Sequence, residues 1–274
     1  MRFELETIGC GLLLPAALSV VVTWAFLRAL PRDVALRFAG AVGCAVGFFV
    51  GYALLEPRHL RPATYWQWLP WLGIVAAVAA PIGLVSRVPS VCRWTLWLVI
   101  SVVSAWLLVP TWVDLKPSRD VYVALVTACV FLLTAQLDML GRRTSGTMFS
   151  LSLCVSASCG AVLLAAFVSV RFGLLTVAAA AALSGCWVIS FRDSSRELVR
   201  GVTLFYSVVV GGLLLTGQVA AVLPSVCFAL ILAAPLMLWL CEFPPLSRPQ
   251  GKWGVLIRLV AISLPLATAF LLAV

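Results

Sequence analysis

Apolar residues run through this chain in long stretches broken by short clusters of charge, with neither the alternation of a strand nor the one-sided stripe of a surface helix. A helix needs about 20 apolar residues to cross a hydrocarbon core, because its backbone polar groups must be satisfied within the segment. Reading from one charge cluster to the next gives about ten such segments: 8–27, 38–55, 66–86, 94–113, 121–140, 147–170, 172–191, 199–217, 225–241 and 253–274. The weakest boundaries are Arg171, the single charge between segments six and seven, and "TGQVAAVLPS", where Pro224 and Ser225 supply a break and a cap. The expected fold is all-α: a polytopic integral membrane helical bundle of about ten transmembrane helices with short loops, forming one domain over 1–274. Division into halves 1–140 and 146–274 would invert one half relative to the other, as in many secondary transporters. Its sequence support is limited to features such as the small-residue runs "GAVGCAVG" and "AAAAALSGC".

Composition agrees with the pattern: 63% of residues are hydrophobic and 11% charged, against about 25% charged in soluble domains. The formal net charge of +9 comes from nineteen lysines and arginines that nowhere form a block of five, which argues against nucleic acid as a partner. Ten alternating crossings place six of them, Arg2, Arg58, Arg61, Lys116, Arg119 and Arg171, on one face, and the rest on the other. The positive-inside rule then puts the richer face in the cytoplasm and both termini outside, in a plasma or inner membrane. In "MRFELET" acidic residues offset the amino terminus, so the first segment is expected to stay as a helix rather than be cleaved.

In lipid, helices associate where small residues let backbones approach. The second segment, "GAVGCAVGFFVGY", sets Gly40, Gly43, Cys44, Gly47 and Gly51 within an arc of roughly 100°, a helix-contact seam whose partner is another helix of the chain or a second molecule. The sixth, "GTMFSLSLCVSASCGAVLL", carries Ser152, Ser156, Cys159 and Gly160 on one face and Ser150, Cys154 and Ser158 on the other. Such a helix can be approached from two sides and is expected at the centre of the bundle, unless its hydroxyls line a solute path. Kinks are expected at Pro15, Pro81, Pro110, Pro235 and Pro265.

Chemistry has few places to sit. One histidine and no H-E-x-x-H leave no ordinary zinc site, and the nine cysteines, without a C-x-x-C pair, read as packing residues. No metal and no cofactor is expected. Asp138 stands close enough to Arg142 and Arg143 to pair with them, and Gln136, deeper in its segment, is expected to find a partner across a helix contact. The stretch "EPRHLRPATYWQWLPW" gathers the remaining candidates: Glu56 and His59 as an acid/base pair, Arg58 and Arg61 as an anion site. The competing reading makes Tyr65, Trp66, Trp68 and Trp71 an aromatic girdle at the membrane interface.

Three functions follow. The leading one is a transporter-like protein for a neutral or lipophilic solute, with Gln136, Ser152 and Ser156 as polar contacts. The second is an assembly subunit that meets a second copy or another membrane protein through Gly40, Gly43, Gly47 and Gly51. The third is an outer-face enzyme acting on lipid headgroups through the 56–62 loop. In every case the lipid bilayer is the immediate partner.

Overall fold

The computed structural model describes residues 9–82, 89–112, 118–193, 195–220, 224–243 and 252–273. Among these there is no strand, and ten helices follow one another. They are α1 (Leu14–Ala29), entered through a π-helical turn at Gly9–Leu13, and α2 (Arg32–Leu55), followed by 3₁₀ turns at Pro57–His59 and Tyr65–Trp68. Then come α3 (Leu69–Ile82), α4 (Ser90–Leu108), α5 (Arg119–Arg143), α6 (Gly146–Phe167) and α7 (Val170–Arg192). The last three are α8 (Arg196–Ala220), α9 (Ser225–Glu242) and α10 (Lys252–Ala273). Among the described residues nine helices are long and apolar enough to cross a membrane, and the tenth, α3, has 14 residues. The chain is a multi-pass integral membrane protein.

Prolines shape the elements unevenly. Pro110 lies beyond α4, not inside a span, because it holds Val109 in extended geometry (ψ 120°) and so ends the helix at Leu108. Pro15 occupies the first α-helical turn of α1, directly after the π-helical Gly9–Leu13. Only Pro81 and Pro265 sit within α-helix, whereas at Pro235 α9 changes from α-helix to a 3₁₀ segment, Ala234–Glu242. Ser194 and Glu197 have capping-box spacing, which predicts Ser194 as the cap of α8; Ser194 lies outside the described residues, and Ser195 is the N-cap, with its N–H donating to Asp193 Oδ1 at 3.2 Å.

The most enclosed helix is α8, with 94% of the residues in its apolar 18-residue stretch buried, rather than the serine-rich α6, with 61%. It touches α2 to α7 and α9, while α1 lies outside against α2 and α7, and α10 against α9 and α6. Glycine makes this enclosure possible. A Cβ at Gly212 would stand 2.5 Å from Leu69 Cδ2 and 2.8 Å from Leu108 Cδ1. Tyr206–Val210 within α8 is π-helical, and all five residues are buried.

The glycine seam of α2 is filled from within the chain. A Cβ at Gly43 would be 2.8 Å from the Ser19 carbonyl oxygen; at Gly47, 2.5 Å from that of Pro15; at Gly51, 3.0 Å from Ala178 Cβ. Gly40 backs onto α8 and Cys186 Sγ, 3.2 Å from a Cβ placed there. The close approach lets Ser19 Oγ donate to the Ala182 carbonyl at 2.7 Å, with Cys44 Sγ 3.5 Å from the same oxygen. These four glycines are buried between α2 and its neighbours α1, α7 and α8. Gly47→Leu is therefore expected to destabilise the monomer by about 3 kcal/mol or more, the upper range for forcing bulk into a packed interior. Thermal unfolding followed by tryptophan fluorescence checks it. Gly11→Ala, whose nearest neighbour is Leu55 at 3.9 Å, should change stability by less than about 0.5 kcal/mol.

Candidate functional site

The connection from α2 to α3 is a clamp. Glu56 ends α2, and the following 3₁₀ turn brings His59 back, its N–H donating to the Glu56 carbonyl at 3.0 Å. His59 Nδ1 lies 3.0 Å from Glu56 Oε2, and the carboxylate requires it to be the donor. The other partner comes from the corner between α6 and α7: Arg171 bonds both carboxylate oxygens, Nε to Oε1 and Nη2 to Oε2, the latter at 2.5 Å. Its guanidinium lies 4.5 Å from the ring centroid of Trp66, which also packs on Phe172 (5.9 Å), His59 (5.9 Å) and Tyr52 (6.2 Å). Tyr52 OH donates to the His59 carbonyl at 3.3 Å.

Glu56 and His59 are thus brought together, but onto Arg171, a residue that the sequence pattern marks only as a span boundary. Arg58 and Arg61 are exposed and stand outside this contact. Trp66 is a buried hub instead of part of a girdle, and Trp71, 42% exposed, remains at the perimeter with its indole N–H on the Leu60 carbonyl at 3.2 Å. Gln67 is also buried; its Oε1 accepts from the N–H groups of Ala63 (2.6 Å) and Thr64 (3.0 Å), fixing the entry into α3.

The candidate serines of α6 are committed to backbone carbonyls. Ser152 Oγ donates to the Phe149 carbonyl of its own helix at 2.6 Å. Ser156 Oγ donates to the Ile231 carbonyl of α9 at 2.5 Å, which leaves Tyr206 OH of α8, 2.6 Å away, as the donor to Ser156. The Ile231 carbonyl needs this bond because its i+4 partner is Pro235, which has no N–H; Ala234 N–H supplies a 3₁₀ bond and Ser156 the second. Gln136 departs from expectation: it faces outward from α5 beside Leu132 and Met139, exposed, instead of reaching across a helix contact. Hydropathy does not report the rotation of a helix about its axis.

Between α5, α8 and α9 lies a cavity of about 460 Å³, within the size range of small-ligand sites. Its floor is α8, from Ser207 through Gly211 and Leu214 to Gln218, a depth of roughly 16 Å at 1.5 Å per residue. A Cβ at Gly211 would meet only Leu232, at 3.8 Å, so the missing side chain leaves space there. The walls include Leu125 and Cys129 of α5 and Ala229 of α9, all exposed, so the cavity opens sideways at the bundle perimeter. Helices α5 and α9 meet mainly through Ala234–Glu242 and part toward the opposite end.

At that end Gln218 Nε2 donates to Tyr122 OH (3.2 Å) and Ser225 Oγ (2.8 Å). The two hydroxyl protons and the Gln218 carbonyl oxygen remain to engage a ligand. Among the described residues no arginine, lysine, histidine or carboxylate lines the cavity.

The chain matches no family model, no curated protein and no solved structure.

Tyr122, Gln218, Ser225 and Tyr206 are not picked out by sequence motifs. The available signals were the glutamine at a span end next to Pro224–Ser225, and Pro235 four residues after Ile231. For the clamp, Glu56→Gln and Arg171→Gln should each lower stability by about 1 kcal/mol, the scale of a partly exposed charge-assisted contact. The double variant should cost clearly less than the sum. Denaturant unfolding of the four proteins checks this, and full additivity would show that the two side chains do not act together.

Proposed function

We propose that the protein binds and carries a lipophilic molecule with a small, uncharged polar head, admitted from the bilayer between α5 and α9. The observation that carries this reading is the side-opening apolar cavity with its polar end at Tyr122, Gln218 and Ser225. In lipid, an apolar tail gains little by leaving hydrocarbon for leucine side chains, because the two surroundings are equally apolar. Selection then falls to the head: an alcohol, amide or ester can exchange hydrogen bonds with the two hydroxyls and the amide. A charged head would enter a low-dielectric cleft whose described lining offers no opposite charge to meet it.

Two breaks in helical regularity lie beside the cavity, the π-helical Tyr206–Val210 in its floor and the 3₁₀ segment after Pro235 in α9. They supply points where the floor and one wall can change their bend as the occupant moves. The glycines of α2, engaged by α1, α7 and α8, offer less to the assembly reading. Glu56, with both oxygens held by Arg171 and His59, offers less to the enzyme reading.

A diazirine-bearing fatty alcohol, photolysed with the full-length protein in nanodiscs, tests the proposal. Labelled peptides should concentrate on Leu125–Leu133 and Ser225–Leu232. Gly211→Leu, which fills the floor, should lower labelling there by about fivefold or more while other lipid-facing peptides are unchanged. Even labelling around the perimeter that ignores Gly211→Leu would overturn the proposal.

A further inference from the structure

The arginine-rich face contains a second constellation, independent of the cavity. Most acidic groups there are matched: Asp193 stands 3.9 Å from Arg32 and Glu197 3.5 Å from Arg37. Asp138, its side chain 1% exposed, takes Arg142 on one oxygen (Nη2, 2.8 Å) and Arg200 on the other (Nη2, 2.7 Å). A third guanidinium, Arg93 in the first turn of α4, stacks on Trp94 and Trp97 where α4 packs along α5, the helix that carries Asp138 and Arg142. Two arginines on one carboxylate already leave one positive charge in excess, and Arg93 adds another on the neighbouring helix.

Two buried donors in this cluster have no acceptor among the described residues. Arg93 Nε is one, and the indole Nε1 of Trp97, a residue 1% exposed, is the other. They are neighbours, since the Arg93 guanidinium lies 5.4 Å from the Trp97 ring centroid and 5.1 Å from that of Trp94. Burying an N–H without an acceptor is costly, and surplus charge beside it selects an anion as the acceptor. The Arg142 side of the cluster faces outward. Arg142 is 44% exposed at its side chain, and Val91 and Thr95, flanking Arg93 on α4, face outward.

We infer that Arg93, Trp97, Arg142 and Arg200 form a binding site for a phosphate group, carried by a phosphomonoester lipid headgroup or free in solution. A phosphate offers several acceptor oxygens, which match the guanidinium forks and the indole N–H together, and basic pockets between transmembrane helices at headgroup level are suited to such groups. Asp138 then has a second role: it fixes Arg142 and Arg200 in place, so the surplus charge is preorganised.

Native mass spectrometry of the full-length protein tests the site with phosphatidic acid against phosphatidylcholine, alongside thermal shift with inorganic phosphate alone. Phosphatidic acid should bind about tenfold more tightly than phosphatidylcholine. Arg93→Gln should remove that preference without changing retention of phosphatidylcholine. Trp97→Phe keeps the ring and deletes only the N–H, so it should reduce the preference several-fold, and it reads the site even if Arg93→Gln folds poorly. Stabilisation by inorganic phosphate that is lost in Trp97→Phe assigns the site to free phosphate as well; a response to phosphatidic acid alone assigns it to the lipid. Equal binding of both lipids with no phosphate shift, or full preference in every variant that folds, overturns the inference.

Discussion

The arrangement around α8 depends on one hydrogen-bond chain, Tyr206 O–H to Ser156 Oγ, and Ser156 O–H to the Ile231 carbonyl. In hydrocarbon a backbone carbonyl that loses its helical partner must find another inside the protein. Pro235 leaves the Ile231 carbonyl of α9 with only a 3₁₀ bond from Ala234, α6 adds a serine, and α8 completes the serine with a tyrosine. Three helices are thereby joined at one depth. On one side of this point α9 proceeds as a 3₁₀ segment that meets α5; on the other, α5 and α9 part and leave the cavity over α8.

Charge secures the two ends differently. At the face with fewer basic residues Glu56 ties the end of α2 to the α6–α7 corner through Arg171, with Trp66 beneath the guanidinium. At the arginine-rich face Asp138 joins the last turns of α5 to the start of α8. In both places an acid is held by more than one basic side chain, so neither carboxylate is left to face hydrocarbon. The consequence differs, because the Arg171 clamp uses its partners fully while the Asp138 cluster leaves Arg93 over.

Much of the fold was legible because charge clusters delimit apolar runs. The segment 199–217 became Arg196–Ala220 and 121–140 became Arg119–Arg143, each extended into its flanking arginines. What hydropathy could not show was which face of a span looks inward. A helix apolar all round is central in a soluble protein, but in a membrane every helix is apolar all round. The serines of α6 therefore suggested a centre that α8 occupies, where Gly212 and Gly217 were the available sign. Gln136 faces outward for the same reason. The Glu56–Arg171 pair was hidden differently: its members are 115 residues apart, and only the folded chain brings them together.

The claim that Ser156 serves the break made by Pro235 is open to a direct measurement. Unfolding free energies would be compared for the wild type, Ser156→Ala, Pro235→Ala and the double variant in one detergent. Deleting the serine should cost about 2 kcal/mol beside proline, the scale of leaving buried polar groups short of a partner. It should cost clearly less beside alanine, whose N–H can bond Ile231 itself, the remainder being the Tyr206 hydroxyl left without its acceptor. An equal cost in both backgrounds would contradict the account.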